Sequence, residues 1–172
     1  MFDEFPVLAA HQKLLEKWNR TLNLTRITDM ERNYGESLFL GRHLPSGPLR
    51  ICDVGSGAGF PGFPVAVLRP ECEVTLIEAH QRKAVFLKEA SRGQSNIRVL
   101  AVRAEDVQER FDWAISRAVS AADLAPVLCK LARNVALLTG GDEPEIPGFS
   151  WEAPIELPGA RNRYLRIGHC FT

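Results

Sequence analysis

The segment Asp53-Val54-Gly55-Ser56-Gly57-Ala58-Gly59-Phe60 decides the fold, because three glycines join a short apolar run to a helical pattern. Residues 51–54 predict a buried strand, and the run from Pro64 to Leu68 predicts a helix. Glycine allows the backbone to turn tightly and to approach a ligand closely. A strand, a glycine-rich turn and a helix in this order indicate a ligand-binding βα unit. The alternative is a turn with a purely structural role.

Downstream of this turn, short apolar runs alternate with helical patterns. The runs predict strands at 74–77, 97–102, 112–115 and 135–138, and the patterns predict helices at 80–91 and from Ser120, a candidate N-cap, to 131. In the tail after Gly140, only residues 164–168 are predicted as a strand. The alternation predicts an α/β fold with a parallel sheet covered by helices on both faces.

Upstream of the turn, the chain is predicted to be helical. Apolar residues at steps of seven, three and four predict a helix over the first twenty residues: Leu8, Leu15, Trp18 and Leu22. Thr28 and Glu31 have the spacing of a capping box, which predicts the start of a second helix. We expect one domain over residues 1–172, with residues 1–45 as a helical cap on an α/β core of 46–172.

Composition and charge set limits on the class of protein. The 172 residues carry 21 basic and 21 acidic side chains. This balance argues against a protein that binds nucleic acid through positive charge over its whole surface. It does not exclude binding through one basic face. The four cysteines form no CxxC pair, so we expect neither a disulfide nor a metal site. No secretion signal and no membrane-spanning run is present in the sequence, which predicts a cytoplasmic protein without membrane contact.

The spacing of the glycines indicates the ligand. A dinucleotide-binding turn has the pattern G-x-G-x-x-G, whereas the third glycine here, Gly59, comes one position early. Asp53 precedes the turn, and a carboxylate there suits the ammonium and sulfonium of S-adenosylmethionine better than a pyrophosphate. S-adenosylmethionine is therefore favoured, and a nicotinamide cofactor is the alternative.

Two further positions fit an adenosine ligand. Glu78 ends the second predicted strand and can accept hydrogen bonds from both ribose hydroxyls. Ala104 and Glu105 follow the third strand, where a ligand lying across the strand ends would place its adenine. The alternatives are an exposed carboxylate at a strand end for Glu78 and a helix-initiating acid for Glu105.

Together these segments resemble one known family. The matches keep the family's order over roughly residues 15–140, and they are Trp18-Asn19, Asn23-Leu24-Thr25, Glu36-Ser37-Leu38, residues 53–62 (DVGSGAGFPG), Lys83, Phe86-Leu87, Arg103-Ala104-Glu105 and Ser116-Arg117-Ala118. The chain is similar to the glucose-inhibited division protein B family, the 16S ribosomal RNA guanine-N7 methyltransferases.

The resemblance implies a Rossmann-like class I S-adenosylmethionine-dependent methyltransferase fold with a mostly parallel seven-stranded sheet. The substrate would be N7 of a guanine in 16S rRNA, within the small ribosomal subunit or its precursor, and we expect a monomer. Asn23 and Thr25 would lie near the mouth of the active site. The residues expected to bind the donor, from the sequence and the resemblance together, are Asp53, Gly55, Gly57, Gly59, Phe60, Glu78, Ala104, Glu105 and Arg117.

The sequence departs from the family pattern in three places. Asn33 stands where the family has a histidine, Thr139 stands where a lysine precedes the glycine, and the segment after Gly141 is shorter. These departures motivate a further alternative, a non-catalytic RNA- or ribosome-binding protein that keeps the methyltransferase fold.

The chemistry of the acceptor explains why no catalytic acid or base is predicted. Guanine N7 has a free lone pair and no proton, so its methylation needs positioning rather than a general base. Positive charge develops on the guanine, so basic residues should contact phosphate instead of the ring. The candidates are Arg20, Arg26, Arg32, Arg82, Lys83 and Arg117. Trp18 is predicted to be a core anchor, and Phe60 to pack on the donor.

Overall fold

The computed structural model describes residues 1–24, 29–117, 121–141 and 146–171, with the backbone alone at 22, 121 and 122. Its helices are α1 (Pro6–Leu22), α2 (Met30–His43), α3 (Gly62–Leu68), α4 (Gln81–Ala90) and α5 (Ala121–Leu131). Its strands are β1 (Arg50–Val54), β2 (Glu73–Ile77), β3 (Ile97–Leu100), β4 (Phe111–Arg117), β5 (Ala132–Gly140), β6 (Phe149–Trp151), β7 (Ile155–Glu156) and β8 (Arg163–Cys170).

The strands form one sheet in the order β3-β2-β1-β4-β5-β8-β6, with β7 paired to β8 beside this path. Neighbouring strands from β3 to β5 are parallel, whereas β8 is antiparallel to both β5 and β6. The expectation of a mostly parallel seven-stranded sheet is therefore confirmed, with the two-residue β7 as an addition.

Helices cover both faces of the sheet, as the alternation predicts. One core cluster joins the sheet to α1, α2, α3 and α4, and a second joins the opposite face to α5. The two N-terminal helices pack on α3 and α4 rather than directly on most of the strands. This arrangement places α1 and α2 above the turn that follows β1.

Two local predictions were wrong or incomplete. The N-cap of α2 is Asp29, whose carboxylate accepts a hydrogen bond from the Arg32 amide at 3.0 Å; Thr28 lies outside the described residues, as does Ser120. The tail contains β6 and β7 as well as the predicted β8. These two strands were not predicted, because segments of three and two residues are too short to show periodicity. Within the described ranges, no helix has the length and apolar character needed to cross a bilayer.

The expectation that the cysteines form no disulfide was also wrong. Cys129 of α5 and Cys170 of β8 form a disulfide with their Cα atoms 5.8 Å apart, although 41 residues separate them in sequence. Both pack against the core cluster of the α5 face, so the tertiary fold, rather than a sequence motif, brings them together. Cys52 and Cys72 are buried free thiols.

Candidate functional site

A cavity of about 250 Å³ opens at the carboxyl ends of β1, β2 and β3, beside the glycine-rich turn. We call it the carboxyl-edge cavity. It lies on the face of the sheet covered by α5, and its lining is Val54, Gly55, Ile77, Glu78, Ala79, Val102, Arg103, Ala104, Glu105, Asp123, Leu124 and Val127. In open parallel sheets, ligands bind at this edge. The lining combines apolar walls with a few polar groups, which is the usual character of a small-molecule site.

A second cavity, of about 270 Å³, lies at the opposite edge of the sheet, where β1 and β2 begin. It is lined by Arg50 and Arg98, but both guanidiniums pair with the same Glu109 carboxylate, at 2.9 and 2.8 Å. The second cavity lies far from the glycine-rich turn and brings together none of the predicted site residues.

The three glycines of the turn adopt conformations that other residues rarely take. Gly55, Gly57 and Gly59 have φ of 68°, 60° and 103°, in the left-handed region that favours glycine. A Cβ built on Gly57 would meet nothing closer than 3.9 Å, so this stretch of backbone is open to a ligand. A Cβ on Gly59 would instead lie 3.2 Å from His11 Nε2, so Gly59 serves the packing of α1.

Asp53 lies beneath the turn and does not line the cavity, contrary to its predicted contact with a cationic ligand. The side chain is fully buried, and its Oδ2 accepts hydrogen bonds from Ser56 Oγ and the Gly62 amide, both at 2.8 Å. Burial raises the pKa of Asp53 to about 7, against the opposing effect of these two hydrogen bonds. Asp53 therefore holds the turn in shape from below, because alternation along β1 points it away from the α5 face.

Glu78 lies in the carboxyl-edge cavity at the end of β2. Its Oε1 accepts a hydrogen bond from the Gly57 amide and its Oε2 from the His80 amide, each at 2.8 Å. A carboxylate oxygen has two lone pairs, so each oxygen can still accept a hydrogen bond from a ligand hydroxyl. The two backbone contacts fix the orientation of the carboxylate that would meet a ribose diol.

A buried histidine that no sequence motif singles out joins the turn to the two N-terminal helices. His11 of α1 is 2% exposed and hydrogen-bonds the Ala58 carbonyl through Nε2, at 2.8 Å, and the Tyr34 hydroxyl of α2 through Nδ1. Burial lowers the pKa of His11 to about 4, so the ring is neutral. Since a carbonyl only accepts, Nε2 carries the proton and Nδ1 accepts from Tyr34.

Aromatic side chains surround this histidine. The ring of His11 stacks on Phe63, and its edge meets Phe60. Phe60 is 3% exposed and also packs on Tyr34. Its side chain therefore points into the core, although it was predicted to pack on the donor. Trp18 packs against Phe86 and donates to Glu89, which fits its predicted role as a core anchor.

A group of charged residues lies on the other face of the sheet, where α2 passes the ends of β4 and β5. Glu36, only 2% exposed, accepts hydrogen bonds from Arg163 Nε and Nη2 at 2.9 and 3.0 Å and lies 3.4 Å from Arg32 Nε. Arg117, the last residue of β4, is close enough for the charges of Glu36, Arg163 and Arg32 to affect its pKa. These four residues are called the Glu36 cluster.

Among the described residues, Arg117 is the member of the Glu36 cluster that has a buried donor without a partner. Its Nη1 is buried and has no hydrogen-bond partner within the described part of the chain. Burial lowers the pKa of Arg117, and the nearby positive charges of Arg163 and Arg32 act in the same direction, while Glu36 opposes them. Arg117 does not line the carboxyl-edge cavity.

Comparison with known proteins assigns the chain to a family. Residues 5–138 match the family model GidB, described as rRNA small subunit methyltransferase G. The chain belongs to the rRNA small subunit methyltransferase G family. It is 46% identical over 121 residues to ribosomal RNA small subunit methyltransferase G of Nitrosomonas europaea, covering 66% of this chain and 56% of that protein. It is 35% identical to the Nitrosomonas eutropha protein of the same name, covering 96% and 87%.

Solved structures confirm the class I methyltransferase fold. A methyltransferase from Pyrococcus furiosus superimposes with a TM-score of 0.66 at 14% identity, covering 98% of each chain. A SAM-dependent methyltransferase from Aquifex aeolicus gives a TM-score of 0.65 at 14% identity, covering 86% of this chain and 96% of the other. The curated match to Nitrosomonas europaea spans little more than half of that relative's length.

Two positions at which this chain departs from the expected pattern of the rRNA small subunit methyltransferase G family lie inside the structure. Asn33 is 1% exposed and donates to the Asp29 carbonyl at 3.2 Å. Thr139 is 3% exposed and accepts a hydrogen bond from Arg166 Nε at 3.0 Å. Thr139 is therefore accommodated by local packing, whereas Oδ1 of Asn33 is buried without a hydrogen-bond partner among the described residues.

The structure brings together only part of the predicted site. Gly55, Glu78, Ala104 and Glu105 line one cavity, whereas Arg117 lies on the other face of the sheet. Asn23 is the C-cap of α1, with φ of 47°, and is exposed. Thr25 and Arg26 lie outside the described residues, as does Ala118 of the motif that contains Arg117.

Proposed function

We propose that this protein transfers a methyl group from S-adenosylmethionine to N7 of a guanine in the 16S rRNA of the small ribosomal subunit or its precursor. The observation that carries the proposal is the carboxyl-edge cavity in a chain of this family: Gly55 and Glu78 line it, and the open backbone at Gly57 donates a hydrogen bond to Glu78. We propose further that the protein acts in the cytoplasm, as a monomer and without membrane contact.

The residues of the cavity fit the adenosine part of the donor. Glu78 would accept from the ribose hydroxyls, since each of its oxygens keeps a free lone pair after binding a backbone amide. Leu124 and Val127 of α5 provide an apolar wall for the adenine, and the short helical turn Ala104–Asp106 borders its edge. The glycine-rich turn would lie along the methionine part, with Asp53 and His11 fixing the turn from beneath.

When bound, S-adenosylmethionine supplies an activated methyl group on a cationic sulfur. Guanine N7 has a lone pair and no proton, so the carbon–sulfur bond can break as the carbon–nitrogen bond forms without a general base. The work of the protein is then to hold the two reactants in line, and such positioning can account for about 7–11 kcal/mol of the barrier. Accordingly, no residue is assigned as a catalytic acid or base.

The strand order argues against the nicotinamide alternative. A dinucleotide-binding sheet has the order 3-2-1-4-5-6 with parallel strands. Here the antiparallel β8 is inserted between β5 and β6, and solved methyltransferases share this chain's fold. Asp53 faces the underside of the turn, so its carboxylate does not distinguish S-adenosylmethionine from a nicotinamide cofactor.

The test is transfer of a labelled methyl group to small subunits purified from cells that lack the modification. We expect label in 16S rRNA and 7-methylguanine as the product base. Binding of S-adenosylhomocysteine without any transfer, across salt and magnesium concentrations, would favour the non-catalytic RNA-binding alternative. Tight binding of NAD with no binding of S-adenosylhomocysteine would overturn the proposal. Sedimentation of the same sample at several concentrations would test the monomer.

A further inference from the structure

We propose that Cys129 and Cys170 form a reversible thiol–disulfide site, at which reduction by a small thiol or dithiol weakens the binding of the methyl donor. The inference rests on the proposed function, because the donor in the carboxyl-edge cavity is the ligand whose affinity changes. It assigns a chemical role to a pair of cysteines that come from α5 and from the end of β8.

The pair is accessible to a reagent in solution. The Cα atoms of Cys129 and Cys170 are 5.8 Å apart, within the usual range for a disulfide, and both residues are partly exposed. Cys52 and Cys72 are buried, and burial raises the pKa of the Cys52 thiol, so both are sheltered from exchange. Exposed disulfides are the labile ones, and those found in reducing compartments are usually transient or regulatory.

The exchange needs a thiol reductant and balances as a two-electron step. A thiolate attacks one of the two protein sulfurs, the bond between them breaks, and a mixed disulfide forms. A second thiolate then attacks the mixed disulfide and releases the protein sulfur. Two molecules of a monothiol are oxidised to one disulfide, while their two hydrogens end on Cys129 and Cys170. A disulfide of the same small thiol drives the reverse reaction.

Helix α5 connects this pair to the carboxyl-edge cavity. Leu124 and Val127 line the cavity, and Cys129 follows Val127 by two residues, about 3 Å along the helix axis. The neighbouring Lys130 donates a hydrogen bond from Nζ to the carbonyl of Glu105 at 2.5 Å, and Glu105 also lines the cavity. The end of α5 is therefore bonded to β8 and also contacts the border of the cavity.

The position of α5 depends on contacts with the rest of the protein. Pro126 lies within the helix and removes one of its backbone hydrogen bonds. Strand β8 is paired with β5 on one side and β6 on the other, so Cys170 is a fixed anchor for the disulfide. Reduction leaves α5 held by its apolar face and by Lys130. A wall that the ligand must first order binds that ligand more weakly.

The experiment compares the oxidised and reduced wild-type protein. Equilibration in glutathione buffers, followed by alkylation and mass spectrometry, measures the fraction of protein with the disulfide, which we expect to change reversibly across the buffers. Calorimetry with S-adenosylhomocysteine measures the donor site, and we expect dithiothreitol to weaken binding about threefold to tenfold. Reduction should also lower the unfolding temperature by about 5–15 °C, because the bond joins residues that are 41 positions apart.

Three further measurements are controls. Cys129→Ser and Cys170→Ser should each bind S-adenosylhomocysteine like the reduced wild type and should not respond to dithiothreitol. Cys72→Ala is the matched control, because Cys72 is a free thiol in the other core cluster, and this variant should respond like the wild type. Reduction should weaken 5′-methylthioadenosine, which lacks the amino acid, by the same factor, since α5 borders the adenine side of the cavity.

The outcomes separate this inference from the proposed function. Methyl transfer to RNA by a protein that binds S-adenosylhomocysteine equally well when oxidised and reduced would overturn the inference and leave the proposed function standing. A disulfide that stays closed, or never closes, in all of the glutathione buffers would also overturn it. Reversible exchange with the shift in unfolding temperature, in a protein that binds no S-adenosylhomocysteine, would support the thiol–disulfide site while the proposed function fails.

Discussion

A methyl group added at Gly62 would place its carbon 2.4 Å from Leu76 Cδ2 and 2.6 Å from Asp53 Oδ2. Neither neighbour can move freely, since Leu76 is fully buried and Asp53 is held by Ser56 and by the Gly62 amide itself. The base of the glycine-rich turn is therefore packed without space for a side chain. A glycine is required here for lack of room, whereas Gly55 and Gly57 are required for their backbone conformation.

We expect Gly62→Ala to lower the free energy of unfolding by about 1–3 kcal/mol, as overpacking in a core does. Urea denaturation measures this change. Gly35→Ala is the matched control, because Gly35 also lies in a helix but has nothing within 4 Å of its Cβ position. Alanine there should leave stability unchanged or raise it by up to about 1 kcal/mol. Equal stability of the two variants would contradict the packing argument.

Glu78→Gln should weaken the binding of S-adenosylhomocysteine by about 1–3 kcal/mol, through loss of charge-assisted hydrogen bonds to the ribose and disturbance of the Gly57 contact. Isothermal titration calorimetry gives the dissociation constant. Glu73→Gln serves as the control, since Glu73 begins the same strand at the opposite edge of the sheet. A dissociation constant unchanged by Glu78→Gln would show that this carboxylate does not bind the donor.

At the scale of single residues, the sequence predicted the parts of the site that depend on local backbone. Gly55 and Glu78 are where the pattern of strand, turn and strand end put them. Asp53 and Phe60 were placed wrongly, because the direction of a side chain at a strand end depends on which face each neighbouring element covers. His11 and Arg163 were not predicted, since their partners come from distant elements.

At the scale of elements, His11 connects three separate pieces of structure, namely α1, α2 and the glycine-rich turn. Its two ring nitrogens contact Tyr34 and the Ala58 carbonyl, and its face packs on Phe63. The helical cap and the turn therefore do not behave as independent units. A change in the protonation of this ring would affect both contacts together.

This contact gives a pH dependence of stability with a defined sign. The pKa of His11 is lowered to about 4 in the folded protein, whereas an unfolded histidine titrates near 6.5. Between these values the unfolded state binds more protons, so stability from His11 decreases as pH falls, by about 3 kcal/mol in total. We expect the free energy of unfolding of the wild type, minus that of His11→Gln, to decrease between pH 6.5 and 4.

Asp53 acts in the opposite direction over an overlapping range. Its folded pKa is raised to about 7, so its contribution is present below pH 3.8 and is lost as pH rises towards 7. His11→Gln should therefore show a steeper loss of stability with rising pH than the wild type. The exposed His43, replaced by Gln, is the control. Parallel pH profiles for the wild type and His11→Gln would contradict the assignment.

The prediction of elements succeeded where segments are long enough to show a period. The five helices and the strands β1 to β5 were located within a few residues, although β3 is two residues shorter than expected and β5 is longer. The strands β6 and β7 were missed, since they have three and two residues and exist through pairing with β8. The start of α2 was placed one residue early, because Asp29 caps it in place of Thr28.

At the scale of the whole molecule, β8 and α2 are joined by an ion pair across 127 residues of sequence. Glu36 is nearly fully buried, and the Arg163 side chain is 20% exposed. Breaking a buried pair by removing one partner is far more costly than breaking a pair on the surface. The contact therefore ties the helical cap to the sheet through the tail of the chain.

We expect Arg163→Gln to lower the free energy of unfolding by about 3–5 kcal/mol, because the buried Glu36 loses its closest partner and keeps Arg32 at 3.4 Å. Thermal and urea unfolding provide the measurement. Arg166→Gln, which loses one hydrogen bond to Thr139 on the same strand, should cost about 1 kcal/mol. The double variant Glu36→Gln with Arg163→Gln should recover part of the loss. Equal effects of the two single variants would show that the pair does not stabilise the fold.

The overall architecture could be predicted because alternation of strands and helices restricts the possible topologies severely. The resemblance to the family added the number of strands. The disulfide between Cys129 and Cys170 and the Glu36 cluster could not be predicted from the residues alone, since neither has a spacing signature. Contacts that depend on where the tail returns to the sheet become visible only in three dimensions.

The interior position of β8 has a consequence for synthesis of the chain on the ribosome. A nascent polypeptide that has reached Gly141 already contains the glycine-rich turn, Glu78 and all five helices, yet β5 has no neighbour on one side and Glu36 has no partner from β8. Completion of the sheet must wait until residues 163–170 have emerged. Translation that stalls before that point would release a chain with an open sheet edge, which is a substrate for chaperones and proteases.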